Sequence, residues 1–338
     1  MGNGDLKVPF PWFGGKSRIA QEVWAGLGDV ENYVEPFGGG LSVLLMRPIG
    51  SKKRYIETVN DADGYIANFW RAVKHDPEKV VEYADNPVNE TDLFARHLWL
   101  VNEGKQRLIA GLEADPDFFD AKIAGWWVWG ICCWIGGEWC SGTGPWKRDE
   151  KGQGVSRRLP HLSPGQGVNR QLPHLGRDGQ GNIWQNCAAR TEMLIDYMQE
   201  LSDRLRDVRV CAGDWSRLCT NGVFAHGATV GVFLDPPYDA KLRDKDCYNT
   251  DSHGLSAEVR QWAIEAGDDP KIRIALAGYH DEHDMPAGWR MLQWTSNGSY
   301  QTTNSSKSSG GNTENRHKET IWFSPHCLEE SRQIEFAF

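Results

Sequence analysis

Residues 230–238, V-G-V-F-L-D-P-P-Y, concentrate the side chains most able to do chemistry. An apolar run ending in an acid and two prolines predicts a buried strand of a parallel sheet that opens at its C-terminal end into a loop. Pro236 and Pro237 stop the strand. Asp235, the Pro236 carbonyl and Tyr238 are then expected as a rigid, exposed cluster where open α/β sheets bind ligands. A carboxylate and a peptide carbonyl can accept both N–H bonds of a nucleobase amino group and turn its delocalised lone pair towards an electrophile. The Tyr238 ring offers the base a stacking surface. The competing reading is an ordinary strand-to-turn junction.

Such a cluster needs a neighbouring ligand site, and earlier stretches predict one. Residues 32–37 read as a strand running into Gly38, Gly39 and Gly40, followed by a helix over 41–46. Three glycines at a strand-to-helix turn let backbone approach a ligand closely. Another strand, 55–59, ends at Asn60 and Asp61. An acid about 20 residues past the glycine turn suits ribose hydroxyls; its competing role is to cap a helix over 62–73. Gly14, Gly15, Lys16 and Ser17 invite a phosphate-loop reading, but position 10, where that motif needs glycine, is Phe. Further on, a helix over 188–208 and a strand over 208–211 lead to Gly213, Asp214 and Trp215, where Asp214 could also be a helix cap.

D-P-P-Y occurs together with P-W-F-G-G-K (11–16), Y-V-E-P-F-G-G-G (33–40), V-N-D-A-D-G-Y-I-A-N-F-W-R (59–71) and A-G-D-W (212–215). In this order the motifs resemble the Dam-like, D12-class (alpha group) DNA adenine-specific amino-methyltransferases of bacteria and phages. The resemblance covers both ends of the chain and leaves the middle third without a counterpart. It implies an α/β fold, a Rossmann-like class I methyltransferase sheet with an inserted, mostly helical and loop-rich target-recognition region. Residues 1–74 and 186–338 would form the catalytic domain binding S-adenosylmethionine, and 75–185 the DNA-binding insert. Cofactor contacts would come from Trp12, Gly14, Gly15, Lys16, Glu35, Pro36, Phe37, Gly38, Gly39, Gly40, Asp61, Asp214, Trp215 and Asp235. Trp12 and Lys16 would approach the methionine end, and Asp214 the adenine amino group. Asp235, Pro236, Pro237 and Tyr238 would direct methyl transfer to an adenine flipped out of double-stranded DNA, with no metal. Alternatives are transfer to cytosine in DNA or to adenine in RNA, and a DNA-binding relative without catalysis. The strand ending at Ala277, Gly278 and Tyr279 lacks the polar residues expected of close Dam relatives.

The chain has 338 residues, room for one large domain or two ordinary ones, and a net charge of -9 that argues against a generally basic coat. Residues 141–182 invert that balance with seven basic side chains (Lys147, Arg148, Lys151, Arg157, Arg158, Arg170, Arg177) against Asp149, Glu150 and Asp178. Arg148, Arg157, Arg158, Arg170 and Arg177 are therefore the expected DNA contacts, set against a plain surface insertion. Residues 239–254 read as a lid, and the Ser, Thr, Asn and Gly of 295–320 as phosphate-holding groups or a hairpin tip. Residues 75–89 are polar, with Pro77 and Pro87, and 93–112 have helical apolar spacing. The Trp-rich run 123–137 is shorter than the roughly 20 residues of a membrane span and predicts a buried helix. Helix is expected over 256–266, and strands over 272–277, 291–294 and 320–324. Eight Cys without a C-x-x-C pair, and no signal-like start, predict reduced thiols in the cytoplasm. Zinc held by Cys132, Cys133 and Cys140 with His161 or His174 fits no standard spacing, and residues 280–283, H-D-E-H, read as a solvated loop.

Overall fold

The computed structural model describes residues 6–12, 14–48, 55–134, 139–140, 187–238, 254–294 and 319–329, with side chains from 191 onwards in the fifth of these segments. Side chains alternate between two apolar layers along its strands. On β4 (Val230–Leu234), Val230, Val232 and Leu234 face one apolar layer and Phe233 the other; on β5 (Ile272–Tyr279), Ile272, Ile274 and Leu276 are divided in the same way from Ala275 and Ala277. A period of two with both faces covered is what a parallel sheet between helical layers requires.

Across the seven-stranded sheet the order is β3 (Val208–Ala212), β2 (Ile56–Asp61), β1 (Asn32–Glu35), β4, β5, β7 (Glu319–Phe323), β6 (Arg290–Trp294). The first five are parallel, and β7 runs antiparallel to both neighbours. This is the Rossmann-like methyltransferase sheet that the motifs implied. The order reverses at β1, whose Asn32 pairs with Ile56 on one side and Val230 on the other. A crevice opens beyond the carboxyl ends of strands at such a reversal. The ends meeting there are Glu35 on β1 and Leu234, just before Asp235, on β4.

One helical layer holds α1 (Ala20–Leu27), α2 (Ser42–Leu45), α3 (Gly64–His75) and α8 (Cys187–Leu205); the other holds α10 (Leu255–Ala266) and the short 3₁₀ turn Trp215–Leu218, with α9 (Asn221–Phe224) beside it. Glu57 of β2 ties the first layer down, bound by Arg47 at 2.9 Å and by Arg204 of α8 at 2.7 Å. Helix α3 is capped by Asp63, whose carboxylate accepts from the Tyr65 amide at 2.8 Å. Asp61 is therefore not the cap.

The segment 75–89 contains a helix that composition hid, α4 (Pro77–Ala84), which buries Val80, Val81 and Ala84. Asp76 accepts from the Lys79 amide and Pro77 opens the first turn, a helix start that outweighs the polar character around it. The helical run 93–112 is divided: α5 (Glu90–Trp99) passes through a π turn, Leu100–Gly104, into α6 (Lys105–Ala114). The Trp-rich helix α7 (Ala121–Cys133) is buried as expected, packing on α3 and α4. Gly125 allows this, since a Cβ there would lie 2.6 Å from the Val80 carbonyl oxygen. Trp127 meets Phe10 and Phe69, closing an aromatic cluster. Among the described residues no helix is long and apolar enough to cross a membrane.

Candidate active site

Several stretches converge on a pocket at the strand-order reversal. Trp12, Gly14, Gly15 and Lys16 form one wall, and Glu35, Phe37, Gly38, Gly39, Gly40 and Ser42 another. Asp61, Ala62, Asp63 and Ile66 come from the end of β2 and the start of α3; Phe233, Asp235, Pro237 and Leu255 complete the lining.

The glycine turn is held by backbone. The Gly38 amide donates to the Asn60 carbonyl at 2.7 Å, and the Trp70 indole N–H donates to the Gly39 carbonyl at 2.9 Å. Gly39 sits at φ 47°, and a Cβ there would lie 2.4 Å from Trp12 Nε1. Both the left-handed backbone and the indole above it demand glycine. Asp61 braces the same turn: its Oδ2 accepts from the Gly39 amide and its Oδ1 from the Asp63 amide, each at 2.8 Å. Although its surface is half-buried rather than sealed, removal from water, reinforced by the nearby Asp63 carboxylate, pushes the Asp61 carboxyl up to about 7.

Glu35 is buried at the end of β1. Burial pushes its carboxyl up to about 8 with help from the charge of Asp235, although the Tyr33 hydroxyl, donating at 2.9 Å, opposes the rise. Lys16 Nζ donates to Asp235 Oδ2 at 2.8 Å and to the Gly14 carbonyl at 2.6 Å, while the Lys16 amide donates to Ser42 Oγ at 3.0 Å. The Tyr238 hydroxyl donates to Asp235 Oδ1 at 3.2 Å. Asp235 is thus gripped at both oxygens. Among the described lining residues, four carboxyl groups face a single ammonium. Such a wall has no surplus positive charge for a polyphosphate, and its lysine is already engaged, so the geometry speaks against the phosphate-loop reading of residues 14–17. A ligand carrying hydroxyls and positive charge fits it better.

Of the residues singled out from sequence, Trp12, Gly14, Gly15, Lys16, Glu35, Phe37, Gly38, Gly39, Gly40, Asp61, Asp235 and Pro237 share this lining. Pro36 and Pro236 are buried beside it without lining it, and the Pro36 carbonyl accepts from Asn60 Nδ2 at 3.0 Å. Asp214 stands apart: it is exposed and caps the turn Trp215–Leu218, accepting from the Ser216 amide and hydroxyl. Trp215 is core, stacked on Phe37 with ring centres 6.0 Å apart. Tyr238 was expected exposed but is 6% accessible, because Tyr279 packs edge-on against it at 4.7 Å and Lys16 Nζ lies 5.3 Å from its ring centre.

The segment 280–283 is a turn with Asp281 exposed, as its composition suggested, but it is not solvated throughout. His283 is buried against Trp322, and Glu282 accepts from the Tyr279 amide and the Ser256 hydroxyl. Cys132, Cys133 and Cys140 are buried free thiols, and no group of three metal-capable side chains occurs among the described residues. Arg148, Arg157, Arg158, Arg170 and Arg177, the lid at 239–253 and the polar stretch 295–318 lie outside the described residues. Sequence reasoning missed Ser42, Ala62, Asp63, Ile66, Phe233 and Leu255 as pocket walls. A signal was present for five of them, since Ser42 follows the glycine turn by two residues, Ala62, Asp63 and Ile66 lie inside the 59–71 motif, and Phe233 lies inside 230–238. Leu255 is brought in by tertiary packing alone.

In comparison with known families, residues 12–105 match the family described as D12 class N6 adenine-specific DNA methyltransferase. That span carries the glycine turn, Lys16, Glu35 and Asp61, and stops before β4. A comparison with curated proteins found no match.

Proposed function

We propose, from the match of residues 12–105 to the D12 class N6 adenine-specific DNA methyltransferase family, that this chain is such an enzyme and that its glycine-lined pocket takes S-adenosylmethionine as methyl donor and presents it to adenine at Asp235. The observation that carries this is the meeting of the glycine turn and Asp235 in one pocket where two strand ends diverge. The donor supplies a methyl group already activated by a sulfonium charge. The chain's own residues bind, orient and exclude water.

Asp61 is the acceptor for ribose hydroxyls: it stands at the end of β2 and is not spent on capping α3. Glu35 offers a buried carboxylate to a cationic ligand, and the turn at Gly38, Gly39 and Gly40 admits it without side chains in the way. Asp235 and the Pro236 carbonyl accept the two N–H bonds of the target amino group, which localises its lone pair for in-line attack. Lys16 and the Tyr238 hydroxyl fix the direction in which the carboxylate points. An adenine inside a duplex cannot reach this depth, so the target is extruded, and Tyr238 is its stacking surface with the edge contact to Tyr279 kept. The segment 75–185 serves as the target-recognition insert, with its five arginines on the duplex backbone. Such an enzyme works where the DNA is, in the cytoplasm of a bacterial or phage-infected cell.

Incubation of duplex DNA with the protein and donor labelled in the methyl group, followed by nucleoside digestion, tests this reading. Label is expected in N6-methyldeoxyadenosine. Label in cytosine, or none with well-folded protein, would contradict it.

A further inference from the structure

We propose that Tyr279, the last residue of β5, is a positioning residue for methyl transfer, holding Tyr238 so that its hydroxyl fixes the Asp235 carboxylate. The proposal rests on the reading of Asp235 as acceptor for the target amino group. Tyr238 follows two prolines beyond the end of β4, and its hydroxyl reaches Asp235 Oδ1 at 3.2 Å. A bond of that length depends on where the ring stands, and Tyr279 packs against that ring, centres 4.7 Å apart and planes at 66°.

Tyr279 is itself anchored. Its amide donates to Glu282 Oε2 at 3.0 Å, and the Glu282 amide donates back to the Tyr279 carbonyl at 2.9 Å. Glu282 Oε1 accepts from the Ser256 hydroxyl at 2.5 Å, next to Leu255 on the pocket wall. The end of β5, the first turn of α10 and the transfer turn therefore form one mechanical unit. Strand β5 lies beside β4 with Leu276 opposite Leu234, which brings its terminal tyrosine alongside the transfer turn. Asp235 is consequently supported at both oxygens, by Lys16 on Oδ2 and by the Tyr238–Tyr279 pair on Oδ1.

Tyr279→Leu, which keeps apolar bulk without a ring, and Tyr279→Phe, which keeps the ring, test this in the full chain, with Asp235→Ala as reference. For Tyr279→Leu, kcat is expected to fall about a hundredfold, as misplacement of a reacting group by about 1 Å can cause. S-adenosylmethionine affinity by calorimetry should stay within about twofold, and Tyr279→Phe should keep kcat within about threefold. Unchanged kcat in Tyr279→Leu, a loss matched in donor affinity, or equal damage in Tyr279→Phe would overturn the proposal while an inactive Asp235→Ala left the acceptor reading standing. Normal turnover in Asp235→Ala would remove that reading and this proposal with it.

Discussion

Glu35 is a pocket acid whose chemistry departs far from its type. Buried beneath the pocket with Asp235 nearby, its carboxyl rises from 4.5 to about 8, and Asp61 follows in the same direction to about 7. The folded state holds protons that the unfolded chain has released, so this part of stability is complete below about pH 4 and is lost as pH rises through about 8. Melting of the donor-free protein should therefore fall by a few degrees between roughly pH 5 and roughly 8. Glu35→Gln should flatten that fall; an unaltered slope would show that Glu35 is ionised throughout. A cationic ligand beside Glu35 favours its charged form, so donor affinity should rise over the same interval. The residue type was legible in Y-V-E-P-F, but its raised pKa was not, because it arises from burial and from Asp235, which is remote in sequence.

Among the elements, the β1-to-α2 turn carries the most constraint. Gly39→Ala meets both an unfavourable left-handed backbone and the Trp12 indole at 2.4 Å. It should leave the sheet folded and weaken donor binding at least about tenfold, roughly 1.4 kcal/mol; unchanged affinity by calorimetry would place the donor elsewhere. The strands β1, β2, β3 and β4 were readable because each is a short run with period two or full burial ended by Gly, Pro or Asp. β1, β4 and β5 begin at the expected residues, 32, 230 and 272. Helix α4 was not readable from composition, since only Val80, Val81 and Ala84 carry its apolar face beyond Pro77, although the Asp76-Pro77 start was there. Asp214 shows how one acid supports two readings: A-G-D-W suggested a ligand contact, while the local backbone draws its Oδ1 to Ser216.

At the scale of the whole molecule, an acidic chain with the proposed action on DNA must concentrate its positive charge, and residues 141–182 are where the sequence does so. Replacing Arg148, Arg157, Arg158, Arg170 and Arg177 together by Gln should weaken duplex binding. Its dependence on salt should flatten by up to about 0.9 log units for each phosphate no longer neutralised. Donor affinity should not change; a salt slope equal to that of the unaltered protein would move the DNA face elsewhere. The described helices α4 to α7 share the hydrophobic core of the sheet layer through Val80, Leu93, Leu108 and Trp127. Sequence order suggested an insert at 75–185, but not that its first half would pack into this core, because Phe10, Phe69 and Trp127 come from three distant stretches.

Methyl transfer as described here depends above all on Asp235 receiving the target amino nitrogen. Single-turnover methylation by Asp235→Ala at saturating donor, paired with calorimetry of donor binding to the same protein, tests this most directly. Transfer should be lost while donor binding is largely retained. Transfer at the rate of the unaltered protein would contradict it.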